Sequence, residues 1–302
     1  MTTILPPPIR EPNHDVATKA PAAGAPNLQQ PMEGAHASPF PAAAPNSPEP
    51  SGLGPILADP LLKMCADIVD DLERVRCANE NRLRALTTPP NQADADGECR
   101  GHGLTLDHPD VLRLSMLVDS LKDAEHKAVL NLSRAMRRHP LGGWVKGQVG
   151  VGEKQAARLL ATIRDPYWND PHNRPRTLRE LWAYCGFHVL DASAPTRRRG
   201  EKANWNAEAR KRTWLIAASC LKQADSPYRK VYDETRAHYA DAVHQSPCVR
   251  CGPSGKPAQP GSPLSLGHQH GRGMRAMGKQ ILCDIWTEAK RLHTNATPPE
   301  TP

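Results

Sequence analysis

Hydrophobic residues are sparse and without period up to about Ala58, and from there a stripe recurs at alternating spacings of three and four, apolar except at Asn79: Leu61, Cys65, Ile68, Leu72, Val75, Asn79, Leu83 and Leu86. This spacing predicts a long helix that begins near Asp59. A loop marked by Gly and Pro runs from Thr88 to Leu106, after which the same spacing returns in Leu114, Leu117, Leu121, Ala124, Ala128, Leu132 and Ala135. A second helix is predicted there, with Asp107 as its cap, Pro109 in its first turn and Pro140 as its stop. Residues 59–140 are thus expected to form a long helical hairpin. Stripes of this kind pair either within one chain or across a dimer as a coiled coil. By contrast, residues 1–58 are Pro, Ala, Ser and Gly with isolated charges, as in Pro6-Pro7-Pro8 and Pro48-Glu49-Pro50. They hold too little apolar surface to offset the entropy of ordering, so a disordered Pro/Ala-rich tail is expected, with a short disordered end over 297–302.

Composition narrows the classes of function. The 302 residues include 31 prolines and only 4% aromatic residues, with a mean hydropathy of −0.60, which excludes one large core over the whole length. A net charge of +7 and an isoelectric point near 9.0 favour a polyanionic partner, because each Lys or Arg placed on a phosphate releases counterions. No apolar run approaches the ~20 residues that span a bilayer. The N-terminus also lacks the basic-then-apolar order of a secretory signal, so a cytoplasmic location without a membrane partner is expected. Of the 8 cysteines only Cys248 and Cys251 form a close pair. In a reducing compartment that pair reads as a metal candidate and the other six as small hydrophobes.

After Pro140 comes a run from Trp144 to Ala161 that contains Gly150-Val151-Gly152-Glu153-Lys154 and then Arg158. Two glycines flanking one hydrophobic residue, followed by a helix of small residues, suit the tight turn of a helix-hairpin-helix. Gly tolerates positive φ there, and amides at the start of the second helix can meet a DNA phosphate without regard to sequence. Gly150, Gly152, Lys154 and Arg158 are the resulting DNA candidates. A Gly-x-Gly-x-x-Gly dinucleotide site competes for the same residues, but position 155 is Gln and no strand precedes it. Further on, Arg174, Arg176, Arg179, Arg197, Arg198, Arg199, Lys202, Arg210, Lys211 and Arg212 are interleaved with Trp182, Tyr184, Trp205 and Trp214. The cations could position a phosphate backbone, and the rings either stack on unpaired bases or pack in the core. Arg197, Arg198, Arg199, Lys202 and Arg210 are the contact candidates.

Over about Asp59 to His293 the order of these motifs resembles insertion-sequence transposases of the one-hundred-and-ten group, in their coiled coil and C-terminal "transposase family twenty" region. The matching segments are the Gly150 hairpin, Ile163-Arg164-Asp165-Pro166, Leu181-Trp182-Ala183-Tyr184-Cys185-Gly186-Phe187, the basic loop, Asn206 through Arg210, and Ser226-Pro227-Tyr228 through Tyr232. The resemblance implies DNA binding in transposition or recombination and allows a structured guide RNA as partner. It also implies a nucleophilic serine near Ser193, which here is followed by Ala194 in place of the expected Gly. Either Ser193 attacks a phosphate helped by the neighbouring arginines, or it is an ordinary loop serine. The family's RuvC-like domain with its acidic tetrad has no counterpart in the Pro-rich tail, so a magnesium site is not supported. Besides a truncated or domesticated transposase, a regulatory DNA-binding protein and a serine recombinase subunit completed by another chain both fit the motifs.

Cys248-Val249-Arg250-Cys251 is followed, after a Gly- and Pro-rich stretch, by His268-Gln269-His270. Two thiolates and one or two imidazoles match a tetrahedral structural zinc site, and a metal would order a loop with little core of its own. A zinc-knuckle-like insert over 248–270 with ligands Cys248, Cys251, His268 and His270 is therefore expected. A free cysteine pair beside solvent-facing histidines is the plainer alternative. Arg272 through Trp286 then predicts a closing helix with one apolar face. The expectation as a whole is an all-α chain: tail 1–58, helical hairpin 59–140, and a helix-hairpin-helix domain over 141–296.

Overall fold

A computed structural model describes residues 54–189, 194–197, 200–252 and 256–296. Within them the chain is almost wholly helical, with eight α-helices and one two-stranded antiparallel ribbon. Helix α1 (Pro60–Thr87) starts where the Asp59 carboxylate accepts hydrogen bonds from the Leu61 and Leu62 amides. Pro60 in the first turn has no amide to leave unsatisfied. Helix α2 (Pro109–Arg138) is capped by His108, whose ring accepts from the Asp110 amide, and not by the expected Asp107. With Pro109 as the first helical residue, the cap falls on the residue directly before it.

The two helices pair within the chain and run antiparallel. Arg76 reaches Glu125 at 2.5 Å while Glu80 lies 3.7 Å from Lys122, so numbers rise on one helix as they fall on the other. The fully buried residues of α1 are one position out of phase with the expected stripe, of which Cys65 and Leu72 still pack partly buried against the core. Leu62, Ala66 and Val69 face the core, whereas Leu61, Ile68 and Val75 face solvent. On α2, Val111, Val118, Ala128, Leu132, Ala135 and Met136 are buried, and Leu114 and Leu117 are not.

The chain then turns through α3 (Gly142–Gly147) into α4 (Glu153–Ile163). Between them Gly150 has φ +89° and lies so close to Cys220 that a Cβ would fall 2.7 Å from the Cys220 Cα. Only glycine satisfies both constraints. Helix α4 is the centre of the molecule: Ala156, Ala157, Leu159, Leu160, Ala161 and Ile163 are all buried. It packs on α1, α2 and, through its small residues, on α6 (Ala207–Leu221). A single hydrophobic cluster runs from Leu57 to Ala289, so the boundary expected at residue 140 is not a break in the core.

Strands β1 (Trp168–Asn169) and β2 (Arg174–Pro175) form a small ribbon ahead of α5 (Leu178–Tyr184), which begins with a Thr177/Glu180 capping box. Asn206 caps α6 and also donates through its side chain to the Tyr184 hydroxyl at 2.9 Å. Helix α7 (Pro227–His238) leads into a loop held by short antiparallel bridges, and α8 (Leu266–Ala296) closes the structure against α5, α6 and α7. Helix α8 begins earlier than the sequence suggests and takes in His268, Gln269 and His270. Its glycines are used where partners come close: a Cβ at Gly273 would meet the Tyr232 ring at 2.6 Å, and one at Gly278 the Phe187 ring at 2.6 Å.

Of the tail expected over 1–58, residues 1–53 lie outside the described residues, as do those at 297–302. Residues 54–58 are ordered against the core. Leu57 is buried, its amide donates to Asp165 at 3.1 Å, and its carbonyl lies 3.0 Å from His139 Nε2. Asp165, the acidic residue of the Ile163–Pro166 segment, also accepts from the Tyr167 and Trp168 amides and lies 2.8 Å from His293 Nε2. It joins the start, the middle and the end of the described chain.

Candidate metal centre and basic face

The loop between α7 and α8 folds around its own cysteines. The Cys248 amide donates to the Ala258 carbonyl at 3.0 Å and the Ala258 amide returns to the Cys248 carbonyl at 2.9 Å. The Cys251 amide donates to the same carbonyl at 3.3 Å, closing a tight knuckle that turns both sulfurs inward. A second bridge is set by the His244 amide to the Ser262 carbonyl and the Gly261 amide to the His244 carbonyl, at 2.9 and 2.8 Å. These pairings bring His244 under the knuckle, and the first turn of α8 supplies His268.

His244, Cys248, Cys251 and His268 have their ligand atoms within 4.8 Å of one another and could hold a metal ion. His268 Nδ1 lies 3.4 Å from Cys251 Sγ and 3.9 Å from Cys248 Sγ. Around a tetrahedral zinc, bond lengths of 2.0–2.3 Å place neighbouring ligand atoms about 3.3–3.8 Å apart, so little movement would be needed. His244 is buried, and its Nε2 has no hydrogen-bond partner among the described residues. A buried imidazole nitrogen left unsatisfied is costly unless something unseen binds it. The ionisation of the ligands also suits a cation. Burial raises the Cys251 thiol, but hydrogen bonds with Ser265 and Cys248 and the charge of Arg250 outweigh it and lower its pKa. Burial, then the charge of Arg272, holds His268 below the ordinary histidine value and so favours the neutral, ligating imidazole.

The expected ligand His270 is not part of this cluster. On a helix, residues two apart point to nearly opposite sides, so His268 and His270 cannot share one ion. His270 faces α7, with its Nδ1 2.7 Å from the Tyr232 hydroxyl. His244 takes the place assigned to it. The sequence carries the signal in His244-Gln245-Ser246-Pro247-Cys248, a histidine four residues before the cysteine pair.

The expected DNA contacts separate into two groups. Arg158 is buried and bound to acidic residues of α1: it forms an ion pair with Asp70, and its Nη2 lies 2.5 Å from Glu73. It is no surface contact, because α4 lies under α1. Lys154 is partly exposed but sits 3.8 Å from Glu73 and 3.5 Å from Glu125. At the turn, Gly150 faces α6 and Gly152 opens to solvent as the α4 cap, with no side chain closing the helix end. Glu153, in the first turn, pairs with Arg137 at 2.7 Å.

The second group lies in the loop before α6 and at the start of α6, near cations of α8. Arg197 and Lys202 are exposed, while Ser193, Arg198 and Arg199 lie outside the described residues. Arg210 is half-buried, donates to the Pro195 carbonyl at 3.0 Å and stacks on Trp205. On α8, Arg275 donates to the Phe187 and His188 carbonyls at 2.7 and 2.5 Å, Arg272 lies over Tyr239 and Lys279 over Trp182. Among the described residues no carboxylate lies within salt-bridge distance of Arg210, Arg272, Arg275 or Lys279. Burial first, then like charge, lowers the pKa values of three of them: Arg210 beside Arg250, Arg275 beside Arg210, and Lys279 beside Arg275. The indoles of Trp182 and Trp286 are turned to packing, donating to the Lys279 and Arg176 carbonyls at 3.1 and 2.8 Å. No helix among the described residues is long and apolar enough to cross a membrane.

Comparison with protein-family models, curated proteins and solved structures finds no match for this chain.

Proposed function

We propose that this protein is a zinc-stabilised, mostly helical nucleic-acid-binding protein that acts on DNA in transposition or recombination. The observation that carries the reading is the group of cations Arg210, Arg272, Arg275 and Lys279, which have no carboxylate partner among the described residues, together with the exposed Arg197 and Lys202. Partly buried like charges repel one another, and a phosphate backbone would relieve that repulsion while releasing counterions. The zinc, held by His244, Cys248, Cys251 and His268, would order the loop that borders this face; its role is structural. On this reading helices α3 and α4 with the Gly150 turn serve as a helix-hairpin-helix, and a phosphate would meet it at the start of α4, where no side chain caps the helix at Gly152. The transposition context rests on the order of motifs in the chain. Self-association through the exposed side of α1 belongs to the same proposal, since Leu61, Met64, Ile68 and Val75 repeat with the spacing that a second copy of the helix matches.

The test is duplex binding against salt. Affinity should fall by orders of magnitude between about 50 and 200 mM salt, and exchange of Arg197 and Lys202 for Ala should weaken all sequences alike. Binding that ignores salt, or no binding at low salt, overturns the reading.

A further inference from the structure

We propose that the cleft between α7, the first half of α8 and the cysteine knuckle is a binding site for a phosphorylated nucleotide. The cleft measures about 960 Å³ and its cationic wall is Arg272, Arg275 and Lys279, with Tyr239 and His238 on the α7 side and Pro247 on the knuckle. This proposal rests on the basic face being a nucleic-acid surface and gives that face a specific occupant.

Three observations converge. First, the three cations stand at i, i+3 and i+7 on one side of α8, so they form a row about 10 Å long that can hold a phosphate at one end and leave room for a base at the other. Second, their chemistry differs along the row. The Arg272 guanidinium lies 4.3 Å from the centre of the Tyr239 ring, which leaves its outer face as a flat cationic platform for a base. Lys279 has its ammonium 4.4 Å from the centre of the Trp182 ring and no carboxylate partner among the described residues, so it suits a point contact to phosphate. Third, among the described residues the only acidic group on the wall is Glu234, which is exposed and lies 3.8 Å from Lys230. A volume of this size matches a ligand larger than inorganic phosphate and falls within the range of small-molecule pockets. Burial first and then neighbouring cations lower the pKa values of Arg275 and Lys279, and an entering phosphate would relieve the second of these effects.

The nucleotide has two sources, a phosphorylated or unpaired end of a strand and a free nucleotide. Both are tested with the zinc-loaded full chain. One titration uses a single-stranded oligonucleotide bearing a 5′-phosphate, a 3′-phosphate or hydroxyls only, and another uses a deoxynucleoside monophosphate as competitor. A tenfold or larger preference for one phosphorylated end supports a strand end. Competition by the free monophosphate at concentrations that leave duplex binding intact supports the free nucleotide. In either case Lys279→Ala and Arg272→Ala should abolish the effect while keeping the thermal midpoint of the wild type. Arg275 is left unchanged because it also holds three backbone carbonyls. If the oligonucleotides bind equally and the monophosphate does not compete, the pocket proposal is overturned while nucleic-acid binding stands. If no nucleic acid binds at all, the functional reading beneath it fails as well.

Discussion

Arg158 on α4, itself buried, places its Nη2 2.5 Å from Oε2 of Glu73 on α1. The Lys154 and Arg212 side chains surround the same acidic patch, with Arg212 2.9 Å from Asp70. These residues join the long hairpin to the helices that follow it. A buried charge that loses its partner is costly, and because the acidic partners are about one-third exposed the lower end of the range applies. Arg158→Ala should destabilise the fold by about 3 kcal/mol. Its affinity for duplex DNA, measured on the folded fraction, should be unchanged. A loss of affinity without loss of stability would return Arg158 to the binding surface.

The same contact sets a pH dependence. Burial raises the Glu73 pKa, but the hydrogen bond and charge of Arg158, then the charges of Lys154 and Arg212, outweigh it and hold the carboxyl below its usual value. A carboxyl with a depressed folded-state pKa contributes stability that is present above its unfolded value and is lost as pH falls through the folded one. Urea denaturation at a series of pH values should therefore show stability falling from about pH 5 downward, and Glu73→Gln should flatten part of that slope. An unchanged slope in Glu73→Gln would assign the acid sensitivity to other carboxylates.

The candidate metal centre separates two histidines that the sequence treats alike. Purified protein should carry about one zinc per chain. His244→Ala and Cys251→Ser should lose it, whereas His270→Ala should retain it and lose only the contact to Tyr232. Chelation should lower the thermal midpoint of the wild type, and zinc affinity should fall as pH drops, because protons compete for the thiolates and imidazoles. Retention of metal by His244→Ala with loss in His270→Ala would reverse the assignment.

Much of the fold can be read from the sequence, and what cannot has identifiable physical causes. Asp59, Pro109 and Pro140 mark helix ends because caps and prolines act locally. The phase of α1 is ambiguous because Leu61-Leu62 and Ile68-Val69 are adjacent apolar pairs, either of which can serve a helical stripe; contacts with α2 and α4 bury Leu62 and Val69. The start of α8 reads as a loop because Gly267 and Gly271, at the end of the Gly- and Pro-rich stretch, each cost about 1 kcal/mol in a helix. Further along the helix Tyr232 packs closely on Gly273 and Phe187 on Gly278, which is invisible without the fold. The two cysteines are legible as ligands from their spacing, but the choice of histidines depends on where that helix begins. The cation row on α8 is legible in spacing; that it has no carboxylate partner among the described residues is a tertiary fact.

The exposed side of α1 carries a prediction about assembly. Leu61, Met64, Ile68 and Val75 are 43–62% exposed and repeat at three, four and seven residues, a narrow stripe of the coiled-coil kind. Wild-type protein should sediment as a dimer, and Met64→Lys with Ile68→Lys should give a monomer of unchanged helicity. A monomeric wild type would leave the stripe as ordinary exposed apolar surface.

The last prediction concerns Gly150 and Gly152, which the sequence presents as equivalent members of one hairpin turn. Gly150 has φ +89°, where an L-residue is strained by about 1–2 kcal/mol. A Cβ there would also press into the backbone of α6 at Cys220, which cannot swing aside as a side-chain tip would. Overpacking of this kind adds about 1–3 kcal/mol, so Gly150→Ala should cost about 3 kcal/mol in total. Gly152 has φ −77° and open space around its Cα, so only the modest preference for Gly over Ala at a helix cap is lost. Gly152→Ala should therefore remain within about 1 kcal/mol of wild type. Because an added methyl sits beside the α4 amides that face solvent, its effect on DNA affinity separates two roles for the turn. Reduced affinity in a stable Gly152→Ala protein would mean that a phosphate reaches those amides, as a helix-hairpin-helix requires. Full affinity would leave nucleic-acid binding to the face of Arg210, Arg272, Arg275 and Lys279, with the turn serving only to dock α4 on α6.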